Sequence, residues 1–469
     1  MSNTLQASLE SPPFRPERTI LELGDTMFDP VEAADFPETI LRFRNDRAAA
    51  SVGLDTLDDA AWIAHFGRFQ PLAGSLDTPL ALRYHGHQFR AYNADLGDGR
   101  GFLFAQMRDG GGRLMDLGTK GSGQTPWSRF GDGRLTLKGG VREILATEML
   151  EALGGETSKT FSLIETGEAL HRGDEPSPTR SAVMVRLSHG HIRIGSFQRL
   201  ATLRDEAGMH RLIAYVLKHY FDDVPGEDGP ARLLAHVVRR TARLAPSYIA
   251  AGFVHGVLNT DNINVTGESF DYGPWRFTPF YDPAFTAAYF DAQGLYAFGR
   301  QAEAIHWDTV QLAVALRLVA EAEALTPALD GFAAGYEAGL IDRLLWRLGV
   351  VPRTTAENKA LIGALEAALM AQSVEIDRFF FDWNGGARRA PSPADPHYDS
   401  ETFTDFRTAV AAYAPARTSD HAYWRDEAPC SMHIDEVEAI WSRIAEGDDW
   451  SALETKVAAI RRMGEAMAG

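Results

Sequence analysis

The sequence has only one cysteine, Cys430, in 469 residues. A single thiol excludes an intramolecular disulfide and a zinc site built from several cysteines. The sequence also lacks any uncharged apolar run of about 18 residues, so it predicts no transmembrane helix. Its N-terminus, MSNTLQASLESPPFRPERTI, has neither the basic start nor the apolar core of a secretory signal. We therefore expect a cytoplasmic protein that does not bind membranes.

Basic residues are scarcer than acidic ones, with 46 Lys and Arg against 64 Asp and Glu and a net charge of −18. An acidic protein repels the phosphate backbone, so nucleic acid is not expected as a partner. The segment from Ala81 to Leu200 differs, because it contains 16 basic and 13 acidic residues and many glycines. This contrast indicates a local anion site in an acidic protein.

The order of strand-like and helix-like segments indicates two lobes. Short apolar runs with glycine turns extend from Tyr84 to about Leu200, and amphipathic helical patterns dominate after that. We predict an α+β, protein-kinase-like two-lobed fold, with a small β-rich N-lobe holding one key helix and a larger helical C-lobe. The expected divisions are an N-terminal extension (1–60), the N-lobe with nucleotide-binding loops (61–200), the C-lobe with catalytic and metal loops (201–390) and a helical C-terminal extension (391–469).

Several elements can be predicted individually. Residues 1 to about 18 contain three prolines and are expected to form a loose arm. The patterns also predict strands over 101–107, 114–120, 181–188 and 191–198, and helices over 138–153, 212–221, 231–245 and 307–325. A non-helical stretch from Val254 to Tyr281 interrupts the helical part.

The most informative motif is HGVLNTDNI, residues 255–263. It aligns without a gap to the kinase catalytic loop HRDLxxxNI, and DYG at 271–273 follows in the place of Asp-Phe-Gly. In kinases the Asn and the Asp of these motifs hold the metal ions on ATP. The motif therefore predicts Asn262 and Asp271 as ligands of Mg²⁺ or Mn²⁺, with ATP as substrate.

Two further pieces of a kinase-like nucleotide site precede this motif. LGDGRG, residues 96–101, offers a glycine turn that can approach phosphates closely. Lys120 ends the next predicted strand, and Glu143 lies on the following helix, as in the kinase Lys–Glu pair. Glu148 is the alternative partner, but it lies nearer the apolar stripe of the helix, so Glu143 is favoured.

The kinase base is missing, because Val257 occupies its position. Asp261 is the replacement candidate, although it would approach the acceptor from another direction. Either the protein is inactive, or ATP binds in reverse with its α-phosphate near Asp261, which would give nucleotidyl transfer with release of pyrophosphate. Reverse binding needs cations for the β- and γ-phosphates, and Arg186 and Arg193 on successive predicted strands are candidates. A salt bridge within the lobe would explain these two arginines equally well.

These motifs together resemble the selenoprotein O family of kinase-like proteins. The resemblance covers about Tyr84 to Pro283 and includes YHGHQF, LGDGRG, TKGSGQTPWSR, GDGR, VREILATE, HGVLNTDN and DYGP. It implies a protein adenylyltransferase that binds ATP inverted and transfers AMP to Ser, Thr or Tyr hydroxyls. Many members end in a redox-active Cys or selenocysteine, whereas this chain ends in RRMGEAMAG, so a thiol switch of that type is in doubt.

The resemblance also implies roles for individual residues. Nucleotide contacts are implied at Gly97, Gly99, Arg100, Lys120, Asp132, Gly133, Arg186 and Arg193. A Lys120–Glu143 ion pair, Asp261 as proton acceptor, and Asn262 and Asp271 as magnesium ligands are implied as well. A kinase with a relocated base and a non-catalytic nucleotide-binding pseudokinase are the alternative functions, and the choice between ATP and UTP stays open.

Two His-Gly-His pairs, formed by His85, His87, His189 and His191, are expected to have structural roles, because no predicted element brings them together. Cys430 is expected to be inert.

Overall fold

The computed structural model describes residues 11–173, 175–389 and 391–469. Residues 1–10 of the predicted loose arm and Ala390, at the predicted edge of the C-lobe, lie outside this part. The strands are β1 Arg15–Glu17, β2 Phe28–Pro30, β3 Ile40–Arg44, β4 Leu80–Leu82, β5 Gly86–Gln88, β6 Ala91–Asn93, β7 Leu103–Arg108, β8 Leu114–Lys120, β9 Leu135–Thr136, β10 Lys159–Leu170, β11 Thr179–Ser188, β12 Phe253–Val254 and β13 Arg276–Phe277. The helices are α1 Asp46–Ser51, α2 Asp59–Phe66, α3 Leu137–Ala152, α4 Ile194–Leu203, α5 Glu206–Tyr220, α6 Gly229–Ala251, α7 Gln301–Leu316, α8 Ala322–Leu348, α9 Thr355–Leu369, α10 Ile376–Asp382, α11 Asp395–Tyr398, α12 Thr404–Val410, α13 Ile434–Gly447 and α14 Ser451–Ala468.

The N-lobe is built on a nine-stranded sheet in the order β2-β4-β7-β8-β11-β10-β3, with β1 added to β7 and β9 added to β11. Its pairings are antiparallel, and β7 and β8 form a hairpin. Gly112 has a φ of +84° at the hairpin turn, a conformation that glycine adopts without strain. The hairpin carries Lys120 to the cleft end of β8.

Helix α3 crosses the sheet and is the key helix of the N-lobe. Thr136 caps its N-terminus, because the Thr136 side chain accepts a hydrogen bond from the backbone N–H of Gly139. Val141, Ile144 and Leu145 are fully buried at helical spacing. The helix packs on β10 and β11 of the sheet.

The C-lobe is helical, and α6 packs along both α7 and α8. Helix α6 ends at Gly252, where φ is +69°. The short strands β12 and β13 then pair, with Val254 opposite Arg276. This pairing closes the segment between them into a loop that faces the N-lobe sheet. The α+β two-lobed fold predicted from the sequence is confirmed.

The C-terminal helices return to the N-lobe and pack on α3. Lys138 at the start of α3 donates to Glu438 of α13 at 2.7 Å. Arg461 of α14 donates to both carboxylate oxygens of Glu148, at 2.8 and 2.6 Å. Glu148 therefore lies in an ion pair on the side of α3 that α14 covers. Within the described ranges, no helix is both long and apolar enough to cross a bilayer.

Three local predictions are wrong. The segment 191–198 was expected to be a strand, but α4 begins at Ile194, because Ile194, Phe197 and Leu200 are buried at helical spacing. Part of the expected loose arm, Arg15–Glu17, is strand β1 paired with β7. The helix expected over 307–325 is divided between α7 and α8.

Candidate active site

A cavity of about 720 Å³ lies between the N-lobe sheet and the loop that β12 and β13 close. Every residue that the sequence analysis assigned to nucleotide or metal lines this cavity, except Glu143. The sequence therefore identified residues from four distant stretches that the fold brings to one place.

Glu143 lies behind the cavity and pairs with Lys120. The Lys120 Nζ donates to Oε1 of Glu143, and both residues are buried. Burial lowers the pKa of Lys120, and the negative charge of Glu143 opposes that effect. The pair holds the lysine amino group at the cavity wall. The alternative partner, Glu148, binds Arg461 instead.

Asp271 lies between two arginines. Its Oδ1 accepts a hydrogen bond from Arg186 Nη1, and its Oδ2 lies 3.1 Å from Arg193 Nη2. Burial alone would raise the pKa of Asp271, but the charges of Arg186, Arg193 and Lys120 outweigh it and hold that pKa well below its usual range. Asp271 is therefore a carboxylate at every pH at which the protein would work.

The two arginines reach the cavity from different elements. Arg186 lies on β11 opposite Gly118 of β8. Arg193 is the residue before α4, and it bridges to Asn264 of the catalytic-loop segment. The prediction that both arginines lie on strands is thus wrong for Arg193, although both guanidinium groups face Asp271.

Arg193 is held between two aromatic rings. Its guanidinium carbon lies 4.6 Å from the centroid of Tyr84 and 4.7 Å from that of Phe270. Arg193 is 3% exposed, and its Nε and Nη1 atoms have no hydrogen-bond partner in the described part of the chain. Buried donors without partners are costly, so this geometry suits an anion that would accept from them.

Asn262 and Asp271 offer oxygen ligands. The Asn262 Nδ2 donates to the carbonyl oxygen of Val257 at 2.9 Å, which orients the amide and leaves Oδ1 free for a cation. Mg²⁺ is commonly held by one or two protein oxygens together with phosphate oxygens and water, and these two residues fit that pattern. Residues 11–173, 175–389 and 391–469 contain no group of three or more His, Cys, Asp or Glu side chains arranged to hold a metal ion.

Asp261 is buried beside these ligands, with 7% of its surface exposed. Its Oδ2 is 3.4 Å from Gln88 Nε2, and its Oδ1 has no partner among the described residues. Burial raises the pKa of Asp261 to about 6. A carboxylate with a free oxygen and a pKa near neutrality is suited to accept a proton.

Two glycine loops line the cavity, LGDGRG (96–101) and GDGR (131–134), and both are too closely packed to accept a side chain at these glycines. A Cβ on Gly97 would lie 2.4 Å from Cγ of Trp127, whose indole Nε1 donates to Asp29 at 2.9 Å. Gly133 has a φ of +70°, and a Cβ there would lie 2.2 Å from the backbone of Gly123. The first loop is therefore packed closely against Trp127, and the second against the backbone of Gly123.

Asp132 and Arg100 lie at the exposed rim of the cavity. Arg172 donates to Asp132 at 2.8 and 3.0 Å. Partial burial would raise the pKa of Asp132, but the hydrogen bonds from Arg172 outweigh it and lower that pKa. The rim thus combines fixed charges of both signs.

Sequence reasoning missed several lining residues, among them Tyr84, Gln88, Asp98, Trp127 and Arg172. The motifs YHGHQF and TKGSGQTPWSR contain three of them, but neither spacing nor periodicity assigns them a contact.

The four histidines of the His-Gly-His pairs do not form one cluster. His191 packs beside Arg186 and Asp116, whereas His85 contacts Tyr92. Burial raises the pKa of Cys430 to about 11, which fits an inert thiol.

Comparison with known proteins places these features in a family. A family model described as "Protein adenylyltransferase SelO" matches residues 14–461. The chain is similar to a protein of Synechocystis sp. described as "Protein nucleotidyltransferase YdiU", with 49% identity over 342 residues, or 71% of this chain and 70% of that protein. A protein of Gloeobacter violaceus with the same description is 42% identical over 462 residues, or 95% of each chain.

Among solved structures, a Toxoplasma gondii rhoptry antigen kinase domain aligns with 62% of this chain and 84% of its own, at 11% identity and a TM-score of 0.26. This likeness is too slight to add to the fold described above.

Proposed function

Because the chain belongs to the SelO family of protein adenylyltransferases, we propose that it transfers AMP from ATP to Ser, Thr or Tyr hydroxyls of other proteins. The observation that carries this proposal is the group of cations around Asp271, in a cavity that Asp261 also lines. Arg186 and Arg193 surround Asp271 inside the cavity, and Lys120 lines the same cavity. Three cations there suit the β- and γ-phosphates of an inverted ATP.

The same arrangement disfavours ordinary phosphoryl transfer. A kinase places the acceptor hydroxyl at its catalytic aspartate, beside the γ-phosphate. Here that position is Val257, which cannot accept a proton. With the terminal phosphates among the arginines, the α-phosphate is the group left to face Asp261.

In the proposed reaction, Asp261 accepts the proton of the acceptor hydroxyl. The hydroxyl oxygen forms a bond to the α-phosphorus, and the bond from that phosphorus to the bridging oxygen of the β-phosphate breaks. Pyrophosphate carries away the electron pair, while Lys120, Arg186 and Arg193 balance its charge. Asn262 and Asp271 would hold Mg²⁺ or Mn²⁺, which when bound neutralises part of the triphosphate charge.

Labelled ATP tests the proposal. With ATP labelled at the α-phosphate, the protein should label a mixture of acceptor proteins, and with ATP labelled at the γ-phosphate it should not. Asp261→Asn should remove the labelling, whereas Asp342→Asn, an exposed aspartate on α8, should leave it unchanged. Labelling from the γ-phosphate alone would instead identify a kinase, and no labelling from either position would indicate a non-catalytic nucleotide-binding protein.

A further inference from the structure

A second cavity of about 500 Å³ lies beside the nucleotide cavity, and Arg100, Lys120 and Arg172 line both. The first half of α3, the segment after Asp271 and residues 287–290 form its other walls. A molecule in the second cavity would therefore lie next to bound nucleotide.

Two arginines in this cavity lack an acidic partner. Arg142 of α3 and Arg276 of β13 make no salt bridge within the described residues. Instead, both donate to the carbonyl oxygen of Trp275, each at 3.0 Å. Glu438 of α13 also lines this cavity, but it is already bound to Lys138 at 2.7 Å.

The arginine pair, Arg142 and Arg276, is half-buried in the wall of the second cavity. Burial lowers the pKa of Arg142 to about 10, and the charge of Arg276 adds to that effect. Neither arginine lines the nucleotide cavity. Glu438 offsets part of the charge of the arginine pair, but the pair has no ion-pair partner among the described residues and lies outside the cavity that the phosphates of ATP would fill.

An aromatic ledge, formed by Phe89, Tyr289 and Phe290, borders the second cavity, which Tyr289 and Phe290 line. Tyr289 is 87% exposed and Phe290 49% exposed. The rings of Phe89 and Phe290 are 5.7 Å apart, and the rings of Tyr289 and Phe290 are 5.1 Å apart. Exposed aromatic clusters of this kind mark contact surfaces for other proteins.

The ledge also leads to the proton acceptor. Phe89 follows Gln88, whose Nε2 lies 3.4 Å from Oδ2 of Asp261. The ledge thus extends from the side of Asp261 to Tyr289, which lines the second cavity. One extended peptide can therefore contact the arginine pair, the aromatic ledge and Asp261.

We propose that the second cavity binds a segment of the acceptor protein, with an acidic side chain of that segment on the arginine pair, an apolar side chain on the aromatic ledge and the hydroxyl at Asp261. This rests on the proposed function and narrows its substrates to hydroxyl residues with Asp or Glu nearby. Arginine suits this role, because its fork matches a carboxylate in two parallel hydrogen bonds.

Peptide binding tests the proposal without requiring catalysis. Dye-labelled peptides containing one Ser, one Leu and several Glu are compared with matched peptides in which Gln or Lys replaces Glu. Binding is followed by fluorescence anisotropy, with an ATP analogue present whose α–β bridge is methylene. We expect the Glu peptide to bind about tenfold more tightly than the Gln peptide. Equal binding of the two peptides would overturn the proposal.

Variants assign the preference to the arginine pair. Arg276→Gln should reduce binding of the Glu peptide to the level of the Gln peptide, whereas Arg211→Gln, an exposed arginine of α5, should not. Arg276→Glu should shift the preference to the Lys peptide. If Arg276 variants do not fold, Tyr289→Ser provides the test, because this exposed side chain can be replaced without opening the core. It should weaken the Leu-containing peptides relative to matched peptides with Gly in place of Leu, and an unchanged ratio would overturn the proposal.

The same peptides separate this proposal from the proposed function. Transfer of AMP from α-labelled ATP is measured on each of them. Binding that prefers Glu, without any transfer, would support the docking site and contradict the adenylyltransferase activity. Transfer without a preference for Glu would support the adenylyltransferase activity and contradict the docking site.

Discussion

Arg193 Nη2 lies 3.1 Å from Oδ2 of Asp271, while the other two nitrogens of the same guanidinium, Nε and Nη1, are buried and have no partner in the described part of the chain. Asp271 thus satisfies one nitrogen of an arginine that lines the nucleotide cavity, while two donors of the same side chain are left unsatisfied by the described residues. An isolated salt bridge would not leave two buried donors unpaired.

Replacement of Arg193 by Gln should weaken ATP binding by about 10- to 100-fold, because a hydrogen bond to a charged group contributes about 1.5–3 kcal/mol. Isothermal titration with the non-cleavable ATP analogue measures the change. Arg199→Gln is the matched control, since Arg199 lies on α4 and outside the nucleotide cavity. An equal loss in both variants would show that the effect is structural.

The rate of AMP transfer should depend on the ionisation of Asp261. Because burial raises its pKa to about 6 and only the carboxylate can accept a proton, kcat/KM should rise through about pH 6 and level off above it. Gln88→Leu removes a hydrogen bond that lowers this pKa, so the midpoint should move to higher pH. A profile that is flat from pH 5 to pH 8 would exclude Asp261 as the base.

The same pKa predicts a change in stability. The carboxyl of Asp261 has an ordinary pKa of 3.8, so folding makes it harder to ionise, and stability is lost as the pH rises from about 4 through 6. Asp261→Asn should therefore raise the free energy of unfolding by about 2–3 kcal/mol at pH 8 and leave it unchanged near pH 3. Urea denaturation at the two pH values measures the difference.

Glu143 and Glu148 should respond differently to the same substitution. Both are buried and paired, so loss of either carboxylate should cost about 3–5 kcal/mol of stability. Glu143→Gln should also lower kcat/KM, because it releases Lys120 from the cavity wall. Glu148→Gln should leave kcat/KM close to that of the wild type at a temperature where both variants are folded. A larger kinetic loss from Glu148→Gln would contradict the assigned pairing.

Gly97→Ala should reduce nucleotide binding, because its Cβ would lie 2.4 Å from the Trp127 ring and the loop must move. Gly363→Ala provides the control, since a Cβ there meets no atom within 4 Å. That second change lies within α9 and should stabilise the protein by about 0.5–1 kcal/mol. Thermal melting with and without the ATP analogue separates the two effects.

The sequence predicted best what lies close together in the chain. The motif at 255–263 pointed to Asn262 through its alignment with the kinase loop and to Asp261 as the carboxylate beside it, and both residues line the cavity. The strand of Lys120 and the helix of Glu143 followed from periodicity, and the preference for Glu143 over Glu148 followed from the apolar stripe. The structure pairs Lys120 with Glu143.

Contacts between distant segments could not be predicted where no recognisable motif marks the residues. Arg193 was assigned to a strand because its short apolar alternation fits one, while the buried helical face of α4 lies beyond it. The arginine pair was missed because Arg142 and Arg276 are separated in the chain and approach each other only when α3 packs against the loop after Asp271. Gln88 was missed because it lies far from Asp261 in the chain and meets it only in the folded protein.

The two ends of the N-lobe sheet are β2 and β3, which both come from the first 44 residues. Arg44 of β3 pairs with Ser162 of β10. Strand β3 therefore cannot join the sheet until β10 has been synthesised and has left the ribosome. During synthesis these early strands have no neighbour to bind, and long-range pairing of this kind is slow. The nascent chain thus exposes strand edges, so chaperones that cover such edges should increase the yield of folded protein.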